Sequence, residues 1–183
     1  MLEIRRVHAS EWRELRDLRL AALLDSPDAF WTRHEEALEQ TEEEWREWAA
    51  MPCHVAVDCG RFVGMVAAFR GGEDPASVDL VALFVAPEAR KRGVAAALVA
   101  AQLAAARAEG FRRVGLMVNV ENTAARRLYE RLGFRDSGRR APLRDGPQLL
   151  AAMVCRLGTS ADRSLRPKTA SLPEETAPGE QAV

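Results

Sequence analysis

Arg90, Lys91 and Arg92 stand together immediately before Gly93. Ahead of them Val81–Val85 is an apolar run that reads as a buried strand, stopped at Pro87. After Gly93 an alanine-rich run reads as a helix. A strand, a basic glycine loop and a helix start together build a seat for phosphate. The first N–H groups of the helix have no partner inside it, and its dipole adds about half a positive charge there. A diphosphate on that seat implies a nucleotide-containing cofactor. Taken alone, the same loop is equally a solvated basic turn before a helix, and the strand and helix that frame it favour the phosphate reading.

The second chemical stretch runs from Asn122 to Phe134 and contains Tyr129, the only tyrosine of the chain. Residue by residue it has a plain account. Asn122 can cap a helix, and Tyr129 can lie on an apolar face with its hydroxyl at the rim. As a pattern, Asn-x-x-Ala-x-x-Leu-Tyr-x-x-x-Gly-Phe about thirty residues after Arg-x-x-Gly-x-Ala is far more specific than either piece.

The elements that must position these residues follow from periodicity and punctuation. Leu2 to Val7 reads as a strand. Ser10 is the expected N-cap of a helix whose apolar face holds Trp12, Leu15, Leu18 and Ala22, broken by Asp25-Ser-Pro-Asp28. Thr41-Glu-Glu-Glu44 is a capping box that starts a short helix with Trp45 and Trp48. Cys53–Asp58 and Phe62–Arg70 are two strands joined as a hairpin, and Val78–Val85 is a third. The helix after Gly93 runs to Glu109 and stops at Gly110. Val114–Val120 is a strand and Asn122–Leu132 a helix ended by Gly133. Phe134–Arg140 and Leu149–Arg156 pair as the last two strands.

Composition narrows the function classes. A chain of 183 residues with formal charge −1 is expected to form one domain, and it has no global basic field for nucleic acid or an anionic membrane. No apolar run reaches the ~20 residues that cross a bilayer, and Met1–Arg6 lacks the layout of a signal peptide. Cys53, Cys59 and Cys155 are odd in number and lack metal-ligand spacing, so reduced thiols in a cytoplasm are expected. His8, His34 and His54 are scattered, so no metal is expected. From Gly158 onward no aromatic residue remains. Thr, Ser, Glu, Pro and Gly dominate, and 158–183 reads as a disordered C-terminal tail after a domain of residues 1–157.

The chain resembles the GNAT superfamily of acyl-CoA N-acyltransferases over most of residues 1–157. The resemblance rests on Arg90-x-x-Gly93-x-Ala95, on Asn122 through Phe134, and on the strand Asp79–Val85. Leu18 through Phe30 and Gly138 through Leu143 also look like a common bacterial branch of the family. Ala95 stands where many members carry Gly, and Asp79 where Glu is more usual. The resemblance implies a mixed α/β (α+β) fold in three layers, a central mixed and splayed seven-stranded sheet flanked by four helices. Acetyl-CoA would lie between the strands ending near Val85 and beginning near Val114, with no metal.

It also implies an acetyl-CoA-dependent N-acetyltransferase in which a primary amine, small or peptidic, attacks the thioester directly. The chain would act as a monomer or homodimer, without nucleic acid or membrane. An amine of pKa near 10.4 is free base in only about one molecule in 2,500 at pH 7, so a base is needed. Asp79 is the leading candidate, acting through water, with Glu35, Glu36 and Glu39 behind it. Tyr129 sits where the family places the acid that protonates the leaving thiolate. Backbone groups near Phe84 and Val85 would pair with the pantetheine arm. Arg90, Lys91 and Arg92 would face the diphosphate with the N–H groups of Gly93, Val94, Ala95 and Ala96, and Asn122 completes the expected cofactor contacts. Phe30, Trp31, Trp45 and Trp48 are candidates for the acceptor pocket. The same fold without strong catalysis, an acyl-CoA sensor or interaction module, is the alternative.

Overall fold

The structure, a computed structural model, describes residues 1–158 apart from Glu73 and Asp145. The tail expected from Gly158 therefore lies, beyond Gly158 itself, outside the described residues. Seven strands form one sheet: β1 (Leu2–Arg6), β2 (Cys53–Asp58), β3 (Arg61–Phe69), β4 (Ser77–Val85), β5 (Arg113–Asn119), β6 (Arg135–Pro142) and β7 (Leu149–Arg156). Their spatial order is β1-β2-β3-β4-β5-β7-β6. All neighbours are antiparallel except β4 and β5, which need a crossover connection and receive a helix.

The α-helices are α1 (Trp12–Asp25), α2 (His34–Leu38), α3 (Glu42–Ala50), α4 (Val94–Ala108) and α5 (Thr123–Arg131). There are thus five among the described residues, against the four expected. The extra one, α2, is little more than a single turn that buries only Ala37, so it leaves no apolar period to read. Ser10 does not cap α1. It lies in a 3-10 turn, Ala9–Glu11, and α1 starts without a side-chain cap. Glu11 instead accepts the His8 N–H at 2.9 Å and pairs with Arg5, which holds its carboxyl down to about 2. The Thr41 capping box forms as expected, with Thr41 and Glu44 each accepting the other's backbone N–H.

Two helices cover one face of the sheet. On α4, Gln102 meets His54 of β2 through a buried hydrogen bond of 2.7 Å. Cys155, the β7 partner of Val114, lies against the turn at Gly133 that ends α5. α1 packs on the opposite face of β3, with α2 and α3 against it. Alternation along the strands then assigns faces. Val78 and Leu80 look toward α4, whereas Asp79, paired with Gly115, looks toward the α1 side.

Alanine in α4 permits close packing, and one glycine sets the limit. A Cβ at Gly64 of β3 would lie 3.0 Å from Leu98 Cδ1, 3.1 Å from the Phe84 carbonyl and 3.4 Å from Val94 Cγ1. The backbone oxygen has nowhere to go. Gly64→Val is therefore expected to lower stability by about 1–3 kcal/mol, the scale of core overpacking. A urea denaturation midpoint equal to wild type would show that α4 can ride up without cost.

Candidate active site

The parallel pair that frames the site is short. β4 and β5 pair only at Ser77–Arg113, Val78–Val114 and Asp79–Gly115. Beyond that point both strands continue, β4 to Val85 and β5 to Asn119, without pairing to each other. Each is held on its far side, β4 by β3 and β5 by β7 along its whole length. The narrow end is pinned by Arg112 N–H donating to the Ala76 carbonyl at 2.8 Å and by the Arg113–Asp74 ion pair. A bulge bends β4 outward: Ala82 adopts φ +56°, and the register shifts opposite Met65–Ala67.

The unpaired edge of β4 carries backbone groups toward the gap. Ala86 N–H donates to Val63 O at 2.9 Å, so the ladder at Ala86 and Phe84 faces β3. Val85, between them, turns its N–H to the open side, and its carbonyl accepts from Arg90 Nε at 2.9 Å. Of the two strand residues expected to meet a pantetheine arm, Val85 presents its amide to the gap, whereas the backbone of Phe84 is committed to β3.

Next to that edge is a concave seat of about 180 Å³. Val85, Ala89, Arg90, Lys91, Gly93, Val94, Ala95 and Ala96 line one side, and Leu128 and Arg131 of α5 the other. Lys91 at φ +62° and Gly93 at φ +79° turn the chain into α4, whose first N–H groups therefore open on the seat. Nothing lies within 4 Å of a Cβ at Gly93, so its need is one of backbone conformation and open access rather than internal packing.

The three cations of the loop do not act together. Arg90 is held by the Val85 carbonyl and by Asp25 at the end of α1, whose carboxyl is lowered by Ser26 and by Arg90 itself. Arg92 turns away to Asp58, at 2.9 Å, and is not part of the lining. Only Lys91 of the three lines the seat without an ion pair among the described residues. Arg131 joins it from α5, likewise without an ion pair among the described residues. Spacing was its signal, since Leu128 and Arg131 are three apart and share a helix face. Asn122 is used locally: its Oδ1 accepts the Ala125 N–H at 3.0 Å and caps α5.

Asp79 faces the α1 side of the sheet at the last β4–β5 pair, and Tyr129 lies on α5. Asp79 has no hydrogen bond or ion pair among the described residues, and burial raises its carboxyl above the ordinary range. A Cβ at Gly115 would strike its Oδ1, so glycine there makes the carboxylate's room. Tyr129 is 6% exposed and packs edge-on against Phe134, ring centroids 5.6 Å apart. Its hydroxyl has no partner among the described residues, burial raises its pKa, and it is not on the lining of the seat. Glu36 caps α2 through the Arg33 N–H, and Glu35 and Glu39 are exposed. Trp45 and Phe30 are core, Trp48 is half-buried, and Trp31 alone of the four is exposed.

A short parallel pair that opens beside a concave seat at a helix start is thus the central feature of the sheet. The chain belongs to the acetyltransferase (GNAT) family, whose sequence profile matches residues 12–134. An uncharacterized N-acetyltransferase of Mycobacterium tuberculosis is 41% identical over 81 residues, 44% of this chain and 51% of that protein. The chain spans about half the length of such curated relatives. A GNAT acetyltransferase from Streptococcus pneumoniae superposes with a TM-score of 0.76 at 20% identity, over 86% of this chain and all of that one. A Salmonella typhimurium protein solved with its cofactor acetyl-CoA superposes at 0.73 and 18% identity, over 93% of this chain and 99% of that one. Among the described residues, no helix is long and apolar enough to cross a membrane, and no metal-ligating cluster of His, Cys, Asp and Glu occurs.

Gly115→Ala tests the surroundings of Asp79. The added methyl should push the carboxylate into solvent, so its titration midpoint should fall from above the ordinary range toward about 3.9. Carboxyl-carbon NMR reads this directly. A midpoint unchanged by the methyl would show that Gly115 does not set the environment of Asp79.

Proposed function

We propose that this protein moves the acetyl group of acetyl-CoA to a primary amine by direct attack in a ternary complex. The observation that carries this reading is the unpaired stretch of β4 and β5 beside the seat at Gly93–Ala96. Buried strand edges need partners, and an extended amide-bearing arm supplies them. The N–H groups at the start of α4 hold the diphosphate, with Lys91 and Arg131 as its cations. Charge-assisted bonds of this kind contribute roughly 1.5–3 kcal/mol each. Arg90 acts indirectly, fixing the loop to Val85 and α1.

Asp79 takes the ammonium proton of the acceptor, through water. Its raised pKa makes it a stronger base than a solvated carboxylate, and the sign follows: turnover falls as pH drops through that raised value. The amine nitrogen bonds to the thioester carbon, and the Val85 N–H is available to the oxyanion. The carbon–sulfur bond then breaks, Tyr129 gives its proton to the departing sulfur, and the attacking nitrogen sheds its second proton, through water, to the phenolate, which leaves a neutral amide, a free thiol and a restored phenol. Burial keeps that phenol protonated, and its lack of a protein partner leaves it available as a donor.

A second reading, a weakly catalytic acyl-CoA sensor or interaction module, is favoured by the burial of Tyr129 against Phe134. Tyr129→Phe separates the two. It keeps the ring and removes only the hydroxyl, so kcat for thiol release should fall by roughly 10²–10⁴ with acetyl-CoA affinity nearly unchanged. Turnover within about threefold of wild type would remove Tyr129 from the chemistry.

A further inference from the structure

Arg19 lies on the buried face of α1 and is 8% exposed. It belongs to the Leu18–Phe30 stretch, none of whose residues lines the cofactor seat. Its guanidinium carbon is 4.6 Å from the Phe30 ring centroid and 5.4 Å from that of Trp48, so aromatic rings from two other segments cover it. Nη1 is fully buried with no hydrogen-bond partner among the described residues. No carboxylate pairs with Arg19 among the described residues, although its neighbours Arg13, Arg16 and Arg46 all find one at the surface. Burial brings its pKa down to about 10, which still leaves it a cation at neutral pH.

A buried charge without a counter-ion is unfavourable, and aromatic rings offset only part of that cost. Both rings lie against the guanidinium, whose N–H groups find no hydrogen-bond acceptor among the described residues, and a planar two-oxygen anion is the partner that a guanidinium fork suits. The place also fits an acceptor. α1 lies on the Asp79 side of the sheet. Phe30 follows the turn Pro27–Ala29, which packs against β5 and whose Pro27 carbonyl accepts from Arg144 at 2.9 Å. Trp31 next to it and Met117 on the Asp79 face of β5 are both exposed.

We propose that Arg19 is the anion anchor of the acceptor site and that the acceptor is an amine bearing a carboxylate, an amino acid or a derivative with a free acid group. This rests on the acetyl-transfer reading above for the role of the amine, but not for the binding of the carboxylate.

Matched amines test it, each amino acid assayed against its own carboxamide. With the wild-type protein the best acid should exceed its amide at least tenfold in kcat/KM for thiol release. In Arg19→Met that ratio should fall to near one, and in Arg19→Lys, which keeps the charge but loses the planar fork, to an intermediate value. Binding is read separately: the N-acetylated acid, which has no amine to react, should raise the melting temperature of wild type and leave Arg19→Met unmoved. Acetyl-CoA affinity serves as the folding control for both variants. Equal rates for acid and amide in wild type, or a preference that survives in Arg19→Met, would overturn the inference while leaving acetyl transfer standing. A carboxylate-dependent thermal shift lost in Arg19→Met, with no amine acetylated, would support the anchor and overturn the transfer reading instead.

Discussion

The whole site depends on two neighbouring parallel strands that stop pairing after Asp79 and Gly115. Backbone N–H and C=O groups inside a protein do not go unpaired without cost, so a parallel pair that opens needs a reason to stay open. Three features supply it. β4 is committed to β3, β5 is committed to β7, and the bulge at Ala82 bends β4 away from its neighbour. The pins at Ala76 and Asp74 keep the narrow end shut, so the gap widens in one direction only. Asp79 stands at the closed end of this gap and faces the α1 layer, and α5 lies on the other face of the sheet.

The three cations of the loop do not share one role in the structure. Arg90 and Arg92 neutralise Asp25 and Asp58, tying the loop to α1 and to the β2–β3 corner. The start of α4 lines the seat together with Arg90, which is held in its ion pair, and with Lys91 and Arg131, which have no ion pair among the described residues. The direction of the backbone donors there is set by φ and ψ rather than by flexible side chains, and the left-handed φ at Lys91 and Gly93 fixes the turn into α4. Arg19 shows the opposite arrangement, a cation kept under aromatic rings with no partner of its own.

Much of this was legible in the sequence, for physical reasons that differ by element. All seven strands and the four longer helices follow from apolar period and from Pro and Gly punctuation, and the resemblance carries their arrangement. The shape of the seat at Gly93–Ala96 was legible because it is made of backbone that a glycine loop and a helix start dictate locally. Side-chain allegiance was not legible. Arg90, Lys91 and Arg92 are three adjacent cations in sequence, and only tertiary neighbours 34 or 65 positions away divide them, Asp58 for Arg92 and Asp25 for Arg90. Asn122 carried its capping role openly, since Asn before a helix is a common N-cap. Ser10 carried the same signal falsely, because the Glu11 bond to Arg5 and His8 makes a 3-10 turn where a cap would sit.

The direct test of the central claim is to titrate coenzyme A into nitrogen-labelled protein and follow the backbone amides. If the diphosphate sits on backbone at the start of α4 and the arm lies along β4, the largest shifts belong to Gly93, Val94, Ala95, Ala96 and Val85. Amides of β1, β6 and the outer face of α3 should stay in place. Saturable binding that leaves Gly93–Ala96 unmoved, or shifts them no more than the rest of the chain, would contradict it.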